Sequence, residues 1–145
     1  MRKNGFQIVA FVMAMIAFAF AITQAGCVLA CTMCVDCAAG AIAGETGVDV
    51  LPPLIRTMMY VITIAAFVQA FFLLLGGILT LQGRMGGPVL LWLAMLGGII
   101  SIVGGVLNGI QVGDWSLLWL SITTWIFPLL TAIFATVGVS KFKAQ

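Results

Sequence analysis

The sequence predicts an all-α integral membrane protein, a four-transmembrane-helix antiparallel bundle. Three observations carry that expectation. Four long apolar runs fill most of the 145 residues. The ten charged side chains, six basic and four acidic, fall almost entirely between those runs. The chain is 63% hydrophobic and 7% charged, with a mean hydropathy of +1.27, whereas a soluble domain carries about 25% charged residues. About 20 apolar residues in a helix cover a hydrocarbon core of ~30 Å, and in lipid the backbone must satisfy its own polar groups, which a helix does.

The first span covers residues 6–25 and follows Arg2 and Lys3. The second covers 54–81 and follows Pro52-Pro53; proline suits a helix start because the first amides need no intrahelical partner. The third runs from Pro88 to about residue 109, and the fourth covers 115–139. Asp114 is placed to cap that last helix by accepting from a first-turn amide. Pro128 should kink it, with Thr123, Thr124 and Thr131 near enough to help satisfy freed backbone groups. Residues 26–53 lie outside the spans, as a cysteine-rich extension of the first helix followed by a loop of about 15 residues; if the helix continues that far, Cys27, Cys31 and Cys34 fall on one face. No polar stretch is long enough for a soluble head domain, so residues 1–145 read as one membrane domain.

Charge placement orients the bundle. Arg2, Lys3, Arg84, Lys141 and Lys143 all lie on one side of a four-span chain, and Asp36, Glu45, Asp49 and Asp114 on the other. Basic residues concentrate on the cytoplasmic side, so both termini are expected inside and the cysteine-rich loop outside the cytoplasm. Arg56 alone breaks the pattern. Tyr60, Trp115 and Trp119 fall near the outer interface and Trp92 near the inner one, where amphipathic rings prefer to sit. Trp125 is deeper and should pack against a neighbour. The small size and simple loops favour the cytoplasmic (inner) membrane of a prokaryote.

Around the end of the first span, Gln24-Ala25-Gly26-Cys27 resembles a bacterial lipoprotein signal in its Ala-Gly-Cys part and departs from it at Gln24, where an aliphatic residue is usual. The segment reads as a retained helix.

Glycines crowd the spans: Gly76 and Gly77 in the second, Gly97, Gly98, Gly104, Gly105 and Gly109 in the third. Lipid tails are as apolar as leucine, so membrane helices associate through close packing that small residues permit. These glycines read as internal packing faces, with a contact to another subunit as the alternative. Gln69 and Asn108 are intramembrane polar residues whose amides need a hydroxyl or carbonyl partner on another helix.

Several function classes are excluded or weakened. Histidine is absent, which removes the usual haem ligand, the commonest catalytic base and the commonest metal ligand. No acid lies in the middle of a span, against the usual pattern of proton- or sodium-coupled transporters. The net charge of +2 with no basic stripe speaks against nucleic acid.

Specific chemistry resides in Cys27-x3-Cys31-x2-Cys34-x2-Cys37, which holds every cysteine of the chain. One reading is a disulfide-stapled outer element, since an extracytoplasmic compartment is usually oxidising and four cysteines allow three pairings. A second is an iron–sulfur cluster or a metal ion such as zinc, copper(I) or mercury, for which thiolates are suited. The chain resembles small mercury-transport proteins in size and in a cysteine pair near the first span, and departs from them in crowding all four thiols together. The Cys27-x3-Cys31-x2-Cys34 spacing resembles that of radical S-adenosylmethionine enzymes over three residues only, and a chain of this size and composition could not build their barrel. A third reading is packing, because cysteine behaves as a small apolar residue; lipidation of a juxtamembrane thiol is a variant.

The functional expectation is a non-enzymatic small membrane protein, a structural or accessory subunit of a larger assembly or a homo-oligomer, with lipids and other membrane subunits as partners and no cofactor beyond bound lipid. The alternatives are a thiol-dependent redox or soft-metal protein using the four cysteines, and a channel or carrier for a neutral solute lined by Gln69, Thr63, Asn108 and the threonines of the fourth span.

Overall fold

The computed structural model describes residues 4–48 and 53–144, with the side chain of Val112 excepted. Arg2, Lys3, Asp49 and Pro52 lie outside the described residues. Four helices make up the fold: α1 (Gly5–Thr46), α2 (Pro53–Leu81), α3 (Gly86–Val112) and α4 (Ser116–Ala144). Each is long and apolar enough to cross a membrane, so the chain is an all-helical, multi-pass candidate.

The second, third and fourth helices match their expected spans to within a few residues. The first does not. Beyond Ala25 it runs through all four cysteines and on across most of the expected loop to Thr46, 42 residues in all. The reason is local. Between Cys27 and Thr46 there is no proline, and alanine, the strongest helix former, recurs through residues 38–43. Hydropathy reports where a chain prefers lipid; helix continuation depends on backbone propensity and on a stop signal. The stop comes at Gly47, which adopts a left-handed conformation with φ 71° and donates its amide to the Ala43 carbonyl at 2.8 Å. Glycine takes that conformation without a side-chain clash.

Asn4 starts the same helix. Its side chain accepts from the Gln7 amide at 3.0 Å, while the Gln7 side chain accepts from the Asn4 amide at 3.1 Å. This reciprocal pair satisfies two amides that a helix start leaves open. At the other end of the chain, α4 begins at Ser116, so Asp114 lies one residue too early to be the cap itself. Its carboxylate still accepts from the Ser116 amide at 3.0 Å. Pro128 sits buried inside an uninterrupted α4. The nearby threonines bond back along their own helix, Thr123 to the Trp119 carbonyl and Thr131 to that of Phe127.

The helices form a closed ring. Each packs beside its neighbours in sequence, and α4 returns to lie against α1. The buried positions repeat at alternating intervals of three and four. In α1 they include Gln7, Ala10, Ala14, Ala17, Ala21, Gln24 and Val28. In α4 Ser121, Thr124, Pro128, Thr131, Ala135 and Gly138 follow the same rule. That spacing keeps one seam facing the partner in left-handed packing near +20°. The seams hold mostly small or hydroxylic residues, while large side chains such as Ile64, Ile110 and Trp119 face outward. Small residues inside and bulky ones outside suit a bundle held by close packing in lipid.

The seven glycines singled out in the sequence lie in this interior or against the adjoining turn. A methyl group added at Gly76 would come 2.8 Å from Leu91, and one at Gly77 2.8 Å from Ala14. At Gly105 it would meet the Leu118 backbone at 2.7 Å, and at Gly98 the Trp125 ring at 2.5 Å. Gly97 faces Gln69, Gly104 faces Ile62 and Gly109 faces Trp115. Their closeness is spent within the chain. Trp125 therefore packs against α3, as its depth suggested.

Candidate functional site

The two ends of the bundle differ in chemistry. At one end Asn4 donates to the Gly138 carbonyl at 2.8 Å, joining the start of α1 to the last turns of α4. Gly83, in the α2–α3 turn with φ 73°, lies against the Phe142 ring. The start of α1, the α2–α3 turn and the end of α4 thus share one end, where Arg84, Lys141 and Lys143 supply positive charge. The Lys141 ammonium stands 4.2 Å from the centroid of the Phe6 ring.

The opposite end carries Asp36, Arg56, Tyr60 and Asp114. Arg56 Nε donates to Asp36 at 2.9 Å, and the Tyr60 hydroxyl donates to the other carboxylate oxygen. Arg56, the one base out of place by charge counting, thus meets an acid of α1. This contact also fixes how far α1 overhangs. Pro53, the first residue of α2, lies three positions beyond Arg56, while Thr46 lies ten positions beyond Asp36. At 1.5 Å per residue, α1 outruns the start of α2 by about 10 Å.

Between α1, α2 and the α3–α4 turn at this end lies a groove of about 340 Å³. Cys27 and Cys31 line it from α1, Met59 from α2, and Asn108, Asp114 and Ser116 from the end of α3 and the turn that follows. The turn is braced from both sides. Asn108 donates its side-chain amide to the Asp114 carbonyl at 3.1 Å, a partner in the turn after its own helix instead of on another helix. The amide and hydroxyl of Ser116 hold the Asp114 carboxyl below its ordinary value, because both hydrogen bonds favour the charged form.

All four cysteines are free and exposed. The expected disulfide-stapled loop is replaced by a helix, and a straight helix resists such bridges. Residues three or four apart on a helix have Cβ atoms about 5–6 Å apart, while a disulfide needs about 3.5–4.5 Å. Nor do the four thiols converge. Cys27 and Cys37 are ten residues apart on one helix, about 15 Å along its axis. Among the described residues, no three histidine, cysteine or acidic side chains group as they would around one metal ion. Cys27 and Cys31 share the groove; Cys34 and Cys37 lie beyond it.

Gln69 stands elsewhere. It is 2% exposed and wedged against Gly97, with its amide beside Gly98. No side-chain hydrogen bond joins it to another described residue, and it is the single polar residue lining an apolar groove of about 430 Å³ between α2 and α3. Thr63 donates to the Met59 carbonyl of its own helix at 2.8 Å. Gln69 and Asn108 line separate grooves, and Thr63 lines neither of the two.

Two participants escaped sequence reading. Met59 carries no signal of its own, since a thioether in an apolar run reads as packing. Gln24, 3% exposed, receives a hydrogen bond from Thr124 at 2.9 Å. Its position three residues after Ala21 and four before Val28, on the small-residue seam of α1, was the available clue.

No protein-family model, curated protein or solved structure matches the chain.

Proposed function

We propose that this chain is a non-enzymatic multi-pass membrane protein that serves as a structural or accessory subunit of a membrane assembly, or as a homo-oligomer. The observation that carries the proposal is the length of α1. Its 42 residues make a rod of about 63 Å, roughly twice the ~30 Å of a hydrocarbon core. Its far portion outlasts α2 and still presents Ile42 to the outside, while Met33 and Val35 are exposed on the turns just before it. An apolar helix end that projects past its own bundle is suited to a second chain. The glycine faces are already used internally, so association falls to this extension and to the lipid-facing exterior.

In this reading both termini lie in the cytoplasm of a prokaryotic inner membrane and the thiol-bearing end faces away from it. The support is the gathering of Arg84, Lys141 and Lys143 at one end of the bundle.

The test is native mass measurement of protein extracted in mild detergent, for wild type and for Met33→Glu/Ile42→Glu. A larger assembly that the double variant loses supports the proposal. A lone wild-type monomer with no co-purifying chain would sink it.

A second reading is favoured by a separate observation, the groove that brings two thiols together with a thioether and a carboxylate-bearing turn. It makes the chain a soft-metal or thiol-dependent membrane protein. Thiolate and thioether sulfur select soft ions, and the groove opens at the end of the bundle where such an ion could enter.

A further inference from the structure

We infer that the groove at the α3–α4 turn is a two-thiolate site for a soft d¹⁰ cation, copper(I) in the first instance, held by Cys27 and Cys31 of α1 with Met59 of α2 as third ligand, and that Cys34 and Cys37 take no part. The inference rests on the second reading above and divides the four cysteines that the sequence presents as one cluster.

The division comes from the fold. Cys27 and Cys31 are one helical turn apart on α1 and both line the groove. Their Cβ atoms stand about 5–6 Å apart. That is too far for a disulfide, but it suits two sulfurs flanking one ion, with metal–sulfur bonds of about 2.3 Å each. Met59 lines the same groove from α2, and its thioether is a soft, polarisable donor. Cys34 and Cys37 continue along α1 past the groove.

Other cations fit poorly. A structural zinc site takes four nitrogen or sulfur ligands in a tetrahedron. This chain has no histidine, and the described residues bring no third thiolate to the pair. Calcium and magnesium need six or more oxygen ligands, and the one carboxylate here is engaged by Ser116. A digonal or trigonal sulfur environment is what copper(I) accepts. Binding makes two metal–thiolate bonds and breaks two S–H bonds, whose protons pass to solvent. Copper arrives and stays as copper(I), so no electron moves.

The experiment is an anaerobic copper(I) titration of the reduced, detergent-purified full chain against a competing copper(I) chelator. Wild type is compared with Cys27→Ser, Cys31→Ser, Met59→Leu and the double variant Cys34→Ser/Cys37→Ser. One ion per chain is expected. Loss of an outer partner of a metal ligand already costs 10–100-fold, so Cys27→Ser and Cys31→Ser should each weaken binding by at least about 100-fold, and Met59→Leu by about 10-fold. The double variant should bind within about 2-fold of wild type. X-ray absorption on the double variant reads the site without touching its ligands, and should show an all-sulfur shell. Copper lost from the double variant but kept by Cys27→Ser and Cys31→Ser overturns this assignment while leaving the soft-metal reading intact. Wild type that cannot hold copper(I) against the chelator overturns both. An unchanged affinity in Met59→Leu removes the thioether from the site.

Discussion

Thr124 donates its hydroxyl to the side-chain oxygen of Gln24 at 2.9 Å, tying α4 to α1 across 100 positions of sequence. The contact is lopsided. Thr124 also reaches the Leu120 and Ser121 carbonyls of its own helix, whereas the Gln24 amide nitrogen is buried without a partner. The Trp125 indole nitrogen next along α4 is in the same condition. Replacing Thr124 by alanine would leave both ends of a buried amide unpaired, at a cost of about 1–3 kcal/mol. Replacing Gln24 by leucine removes the orphan nitrogen and leaves Thr124 bonded to its own helix, so it should change stability by less than about 1 kcal/mol. The coupling between the two should be about 0.6 kcal/mol and no more than about 1.7. Reversible unfolding of the single and double variants in bicelles measures all three, and a Gln24→Leu cost above that of Thr124→Ala would contradict the geometry.

Two glycines should respond to alanine with opposite signs. At Gly105 the new methyl would lie 2.7 Å from the Leu118 Cα and 3.0 Å from its amide nitrogen, so α3 and α4 must part. Overpacking of that kind costs about 1–3 kcal/mol. Gly26 lies inside α1 with nothing within 4 Å of such a methyl. There alanine should stabilise by about 0.5–1 kcal/mol, because glycine loses more backbone freedom on helix formation. Thermal midpoints of the two variants in one detergent provide the comparison.

Acid should loosen the α3–α4 turn. The Asp114 carboxyl is held below its ordinary value of 3.8 by the amide and hydroxyl of Ser116. A carboxyl with a lowered folded-state value contributes stability that is complete above the ordinary value and is lost as pH falls through the lower one. Emission from Trp115 and Trp119, which flank the turn, should therefore change between about pH 4 and lower values. Asp114→Asn should flatten that change, and an identical acid transition in this variant would assign the proton elsewhere.

Topology can be read from thiol labelling. If the charge asymmetry orients the bundle as proposed, a membrane-impermeant maleimide added to intact cells should modify Cys34 and Cys37, which are exposed on α1 at the level of Asp36. A cysteine introduced at Lys143 in a variant with all four native cysteines replaced by serine should be protected until the membrane is opened. The opposite pattern would invert the protein.

What the sequence by itself determined is a matter of solvent. Four long apolar runs, with almost all of the charges between them, are enough to place four membrane-length helices, because transfer of each segment into lipid is a local sum over its own side chains. The same reasoning found Pro53, Gly86 and Ser116 to within a few positions as helix starts. Only the tertiary structure decided the rest. The length of α1 depends on helix propensity and a left-handed glycine stop, which continue past the point where hydropathy falls. The division of the cysteines depends on which of them lie opposite Met59 and the Asp114 turn. The pairings of Gln24 with Thr124 and of Arg56 with Asp36 depend on the register of neighbouring helices. Register is set by interdigitation between residues distant in the chain, and no single segment contains that information.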